Sequence, residues 1–328
     1  MKIAVVILNW NGKQLLEQFL PSVITYSQIA EIYVADNAST DNSVSFVKTH
    51  FPSVKIIQNT TNGGYAKGYN DALQNVKADV FCLLNSDVEV TEGWLQPVIK
   101  CFNKEPNTAI IQPKLLDYKR KDYFEYAGAA GGFIDQLGYP YCRGRIFDTI
   151  EKDTNQYTDA SIFWASGACL FIRASVFQSL KGFDEAFFAH MEEIDLCWRA
   201  HNLGYDTKFV SNSVVYHVGG ATLSTLNPKK TYLNFRNSLF TLTKNAGGNL
   251  FLLIFKRLLL DGLAAFKFLM QLQPAHILAI LKAHLSYYQA LPKLLKQRKQ
   301  LSQSTSYYQQ TSIVWSYFIK KKRRFDCL

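Results

Sequence analysis

Ile3-Ala4-Val5-Val6-Ile7-Leu8, running straight into Asn9-Trp10-Asn11, is the stretch from which the rest of the chain is read. Six apolar residues without a polar interruption describe a strand buried on both faces, the environment of a parallel sheet covered by helices. Outward from it, a helical spacing runs from about Lys13 to Tyr26, with Leu15, Leu16, Phe19 and Leu20 on one face. Ile32-Tyr33-Val34-Ala35 reads as a second strand ending on Asp36, Val54-Lys55-Ile56-Ile57 as a third, and Val80-Phe81-Cys82-Leu83-Leu84 as a fourth. A short helix capped by Asp41 and another from about Tyr65 to Val76 fit between them. This alternation predicts a mostly parallel sheet, because parallel neighbours need crossover connections. Ligands of such sheets lie beyond the carboxyl ends of the strands. Asn9-Trp10-Asn11, Asp36-Asn37, Asn59 to Asn62 and Asn85-Ser86-Asp87 are therefore expected around one crevice.

Composition supports one large α/β domain with an appendage. The 328 residues are 48% hydrophobic and 19% charged, which excludes a disordered chain. The six cysteines show no CxxC pair and no zinc spacing, and no secretory signal precedes the first strand. A reducing, cytosolic setting is expected, without a disulfide framework. The net charge of +10 divides unevenly: residues 229–328 carry +15 and residues 1–228 carry −5. The basic part predicts an anionic surface as its partner.

Along the middle of the chain, residues 114–160 lack periodicity and read as loops lining a site. Phe163 to Ile172 reads as a strand broken by small residues, Met191 to Leu203 as a helix closed by Gly204, and Thr207–Val210 and Val214–Tyr216 as two short strands. Residues 250–300 are rich in Leu and Phe but interrupted by Lys256, Arg257, Lys267, Lys282, Lys293 and Lys296. No charge-free run of about 20 residues exists there, so spanning is disfavoured. Helices lying in a membrane interface account for the pattern, and so does a helical subdomain packed on the core.

Several clusters are suited to chemistry. Asp87, on the polar turn Asn85-Ser86-Asp87 after a buried strand, is placed to hold a hard divalent cation, although such residues also serve simply as turns. Asp36 can accept hydrogen bonds from a nucleoside, since Asp41 suffices for the helix cap. Asn62-Gly63-Gly64 through Lys67 brings small residues and a cation to a helix start, which favours phosphate; an ordinary glycine turn explains the same letters. Glu192, Glu193 and Asp195 cluster at another helix start and offer a general base, or else a dipole-favoured acidic turn with an Asp195–Arg199 pair. His217, after Val214-Val215-Tyr216 and before Gly219-Gly220, is either a structural histidine or a metal ligand shared with Asp87.

In their order these segments resemble family 2 glycosyltransferases of the GT-A fold, particularly the rhamnosyltransferase-like bacterial branch, over roughly residues 1–240. The resemblance implies an α/β fold whose donor-binding half spans about residues 1–112 and whose acceptor half spans about 113–228; the charge and apolar pattern of residues 229–328 adds a basic, largely helical extension expected to associate with a membrane. It implies a nucleotide-diphosphate-sugar donor bound by Asn9, Asp36, Asn62, Gly63, Lys67, Asn85 and Ser86. A Mg²⁺ or Mn²⁺ ion would be held by Asp87 and His217. Glu193 would be the base, with Asp195 second choice and Glu192 an acceptor or metal neighbour. Ser166-Gly167-Ala168 would form a floor under the sugars and Trp164 would stack on one. The implied reaction is inverting transfer to a saccharide or lipid-linked saccharide, in polysaccharide synthesis at the cytoplasmic face of the inner membrane. A non-catalytic nucleotide-sugar-binding scaffold is the alternative. A nucleic-acid partner is not expected, because the candidate site lies in the acidic part.

Overall fold

A computed structural model of the protein describes residues 1–219 and 227–328, so Gly220 lies outside the described residues. Strands β1 (Ile3–Asn9), β2 (Ala30–Asp36), β3 (Lys55–Gln58) and β4 (Val80–Asn85) alternate with helices α1 (Lys13–Tyr26), α2 (Ser43–His50) and α3 (Gly64–Leu73). They lie side by side as β3-β2-β1-β4, all parallel. Ile3, Val5 and Ile7 of β1 join the core on the α1 and α2 side, while Ala4 and Val6 join the core on the α3 side. Both faces are buried, which is why the strand needs six apolar residues in succession. The register pairs Asn9 with Asp36, Asp36 with Gln58 and Leu8 with Asn85, so the strands end along one rim.

The chain continues through β5 (Val88–Val90), α4 (Leu95–Lys104) and β6 (Thr108–Asp117). Then come β7 (Gly132–Ile134), β8 (Pro140–Cys142), β9 (Arg145–Ile146), β10 (Thr149–Ile150), β11 (Ala160–Ile162) and β12 (Cys169–Arg173). After α5 (Ala174–Ser179) and α6 (Glu192–Asn202), β13 (Asp206–His217) completes the sheet. β12 runs antiparallel between β4 and β6, β13 is parallel to β6, and β5 and β11 pair antiparallel with β13. The parallel order thus holds in the first half of the sheet, and the second half is mixed.

Three local expectations change. Residues 132–150 hold a second, four-stranded antiparallel sheet, whose two- and three-residue strands are too short to show a period. The two expected strands at 207–216 are one, β13, which shifts register against β6 between Val210 and Val214. Residues 163–168 leave the sheet, so only Cys169 onward continues as strand. At α2 the helix starts at Ser43, and Asp41 serves it from just outside, accepting from the Ser43 N–H at 3.0 Å.

Beyond Asn227 lie α7 (Pro228–Asn245), α8 (Leu250–Met270) and α9 (Pro274–Arg298). Asn227 and Asn249 cap the first two by accepting from the N–H groups of Lys229 and Leu252. The change of charge at residue 228 is not a packing boundary. α7 packs against α6 and α9, and one core runs from Val6 through Leu239 to Tyr287. Among the described residues, no helix is long and apolar enough to cross a membrane.

Candidate active site

The rim of the parallel strands carries the donor-side residues. Asp36 is buried, its Oδ1 accepting from Asn9 Nδ2 at 3.2 Å and its Oδ2 from the Ser39 N–H at 3.0 Å. Asn9 Oδ1 is buried without a partner. Asn62 Oδ1 accepts from Asn37 Nδ2 and from the Gly64 N–H, and Asn59 Nδ2 donates to Asn37 Oδ1. The Tyr65 N–H donates to the Phe188 carbonyl at 2.8 Å. The first amides of α3 are therefore satisfied by protein groups, and its start is not the phosphate cradle expected of it. Gly64 adopts φ +81, and a Cβ there would strike the Phe188 carbonyl; Gly63 backs onto the Lys67 stem. The Lys67 ammonium is paired with Asp71 one turn along the helix at 2.9 Å.

Strand pairing brings Asp87 and His217 together. His217 ends β13 opposite Val88 of β5, and the Val218 N–H donates to the Asp87 carbonyl. Asp87 Oδ1 lies 3.1 Å from His217 Nε2, and Glu125 Oε1 lies 3.3 Å from His217 Nδ1 on the other side. All three residues are buried. Burial alone would lower the imidazole, but the Glu125 and Asp87 carboxylates overcome it and raise the group to about 10. Glu125 also accepts from the Ala127 N–H at 2.6 Å, which fixes its direction. Glu125 escaped the sequence reading because it lies in the aperiodic segment after β6, where no pattern distinguishes one carboxylate from another.

Two donors at the Asp87–His217 spacing suit neighbouring positions on one ion, since ligands about 2.1 Å from a metal sit roughly 3 Å apart. A carboxylate behind the imidazole is the usual outer support of a metal-bound histidine. Among the described residues no group of three His, Cys, Asp or Glu forms a ready ligand set.

The acidic turn at α6 is separated by the fold into two kinds of carboxylate. His190 and Met191 adopt positive φ of 70 and 73, turning the chain sharply into the helix. Glu192 and Glu193 each have a buried Oε2 without a partner. Burial pushes Glu193 up to about 7 against the lowering by backbone groups of Glu193, Ile194 and Met191. Burial and then the neighbouring Glu193 hold Glu192 well above the ordinary carboxylate range. Asp195 points the other way, to Arg199 at 2.8 Å and Lys244 at 2.9 Å. Burial opposes its charge, yet Lys244 and Arg199 hold it down to about 2. That ion pair corrects the expectation of Asp195 as second-choice base.

Ser166-Gly167-Ala168 links the parts. The Ala168 carbonyl accepts from the Asn85 N–H, and the Gly167 carbonyl accepts from the Tyr65 hydroxyl at 2.8 Å. Tyr65 in turn feels the charges of Glu192 and Glu193. Ser166 is buried, with its N–H donating to Gln112 Oε1 and its Oγ accepting from the Ala168 N–H. Asn85 and Ser86 are partly exposed at the same turn. Trp164 does not face a sugar. It is 2% exposed, packs its indole against Gly132, and donates from Nε1 to the Phe133 carbonyl at 2.8 Å. Gly132, with no Cβ, is what admits the indole into the core.

The loop before α6 is held from α7. Asn237 Nδ2 donates to the carbonyls of Phe187, Ala189 and His190, and Arg236 donates to those of Ala186 and Phe187. Sequence reading missed both, because one amide inside a helix carries no signal of what it will reach.

The family model described as glycosyl transferase family 2 matches residues 4–180. An N-acetylglucosaminyl-diphospho-decaprenol L-rhamnosyltransferase of Mycobacterium tuberculosis (strain CDC 1551 / Oshkosh) is 25% identical over 234 residues, covering 66% of this chain and 75% of that protein. Rhamnosyltransferase WbbL of Escherichia coli (strain K12) is 22% identical over 217 residues, covering 63% of this chain and 80% of that protein. A crystal structure of GalNAc-T7 with UDP, GalNAc and Mn²⁺ superposes with TM-score 0.59 at 18% identity, over 74% of this chain and 48% of that one. The structural likeness extends to the fold, a central sheet flanked by helices.

Proposed function

The chain belongs to glycosyl transferase family 2, and from that premise we propose that it transfers a sugar, with inversion, from a nucleotide-diphosphate sugar to a saccharide or lipid-linked saccharide. The observation that carries this reading is Glu193, whose carboxyl has a buried oxygen without a partner and is raised by burial to about 7. A base must be unprotonated at working pH yet basic enough to take a hydroxyl proton, and burial gives Glu193 that balance.

In the proposed reaction Asp36 holds the nucleoside at the strand rim. Glu193 takes the acceptor hydroxyl's proton as that oxygen bonds to C1. The bond from C1 to the diphosphate breaks, its electron pair leaving with the nucleoside diphosphate. Asp87 and His217 would hold a Mg²⁺ or Mn²⁺ ion, which supplies Lewis-acid stabilisation of that leaving charge when bound. A neighbour of the same fold, GalNAc-T7, was solved with UDP and Mn²⁺. The relatives' names favour rhamnose as the donor sugar and, in the mycobacterial protein, a lipid-linked acceptor; the reading places the reaction in bacterial surface polysaccharide synthesis at the cytoplasmic face of the inner membrane.

The test is turnover of a nucleotide-sugar panel that includes an activated L-rhamnose, with and without Mn²⁺. Glu193→Gln is expected to abolish transfer while leaving donor binding intact, and a chelator is expected to stop the wild type. Donor binding without turnover in the wild type would favour the scaffold reading. Normal turnover in Glu193→Gln would discard the base, and full activity after chelation would discard the metal.

A further inference from the structure

Helix α8 turns a buried ion pair inward, one turn from the buried Leu253: Arg257 Nε donates to Asp261 Oδ1 at 2.9 Å, Arg257 Nη1 to the Leu137 carbonyl at 3.1 Å, and Tyr139 to Asp261 at 3.0 Å. His284 of α9 contacts the second Asp261 oxygen at 3.1 Å. Its outward face presents Phe251, Phe255, Leu259, Leu263, Phe266 and Met270, spaced three and four residues apart along one stripe. Phe251 is 81% exposed, and Leu272 at the turn into α9 is 87% exposed. The helix cannot roll to hide this stripe, because rolling would leave the Arg257–Asp261 pair without its buried partners.

α9 continues the surface with Leu278, Leu281, Leu285 and Tyr288, all exposed. The turn Trp315–Ile319 adds exposed Trp315, Phe318 and Ile319, and Lys267 of α8 lies 5.6 Å from the Phe318 ring. Exposed Lys256, Lys267, Lys282, Lys293 and Lys296 border the apolar stripes, and Lys320 to Arg324 follows. The sole carboxylate of α8 and α9 is the buried Asp261.

We propose that this face is a docking surface for an anionic lipid bilayer, with α8 and α9 lying in its interface and Leu272 at the deepest point. An apolar face of this extent bordered by cations matches an acyl boundary beneath anionic headgroups. A second copy of the chain fits poorly, since pairing two such faces opposes lysines with lysines. The helices lie along the bilayer rather than through it, because neither is apolar enough to span. The inference is independent of sugar transfer and is read without turnover.

The experiment floats the full chain with vesicles of phosphatidylcholine alone and with phosphatidylglycerol added. The wild type is expected to float with the anionic vesicles, less so as salt rises. The double variant Leu263→Glu, Phe266→Glu should lower partitioning by about tenfold or more without lowering the melting temperature, since these side chains face outward. Leu272→Glu, at the most exposed position, repeats the test where folding is least at stake. The proposal is overturned if the wild type does not float, if both variants float like the wild type, or if the wild type is instead a dimer that the double variant dissociates.

Discussion

Glu193 sets two expected pH dependences of opposite use. Its carboxyl is raised by burial from the ordinary 4.5 to about 7, so kcat/KM should fall by about tenfold per pH unit below that value. The same shift costs stability: between the two values the folded protein retains a proton that the unfolded chain has released, so stability declines as pH rises through that window. Glu193→Gln has no such loss. Thermal melts should coincide below about pH 4.5 and favour the variant by on the order of 3 kcal/mol above pH 7. A gap independent of pH would show that the carboxyl is not buried as described. Asp36→Asn should weaken nucleoside diphosphate binding about tenfold by calorimetry, with kcat little changed, since it removes a charge at the binding rim. The place of Asp36 on the rim was legible because it is the polar residue that ends an apolar strand. Trp164 was misread because an aromatic beside small residues looks the same whether it faces a sugar or fills a core.

At the scale of elements, α7 holds the loop that delivers Glu193. Asn237 satisfies three carbonyls of residues 187–190, where Phe188 and His190 have positive φ. Asn237→Ala releases them, at a cost of about 2–3 kcal/mol in stability. As a positioning residue it should lower kcat tenfold or more with donor KM nearly unchanged; a matching rise in KM would make it merely structural. Glu125→Gln, behind His217 at the end of β13, should reduce apparent Mn²⁺ affinity about 10- to 100-fold, titrated as activity against metal. Of the two strands that bring Asp87 to His217, the Val214–Tyr216 part of β13 was visible and the three-residue β5 was not. Their pairing was not, because Val90 of β5 meets Val215 of β13 across a long stretch of chain whose letters do not encode register.

For the whole molecule, the Arg257–Asp261 pair is what orients α8, and with it the outward apolar face. Asp261→Ala leaves a buried guanidinium unopposed and should cost about 3–5 kcal/mol, seen as a lower melting temperature. If the lipid-facing proposal holds, an acceptor embedded in anionic vesicles should show a lower KM than the same saccharide freed of its lipid, because docking concentrates enzyme and acceptor on one surface. The composition of residues 229–328 disclosed a basic, apolar region. Which of its residues meet water depended on contacts with residues 137–139, more than a hundred positions away.

The amino-acid sequence determined the parallel half of the sheet, its polar rim and the family, because apolar runs, caps and strand-end polar residues act over a few neighbours and need no distant partner. The tertiary structure alone decided which acid of one helical turn keeps an unpartnered oxygen and which is an ion-pair anchor. Glu193 and Asp195 are two positions apart, but successive residues rotate by about 100° around a helix, and only Asp195 faces Lys244 from α7. It likewise decided that α8 shows its apolar side outward, since a buried charge must be paired before an apolar side chain can claim the interior.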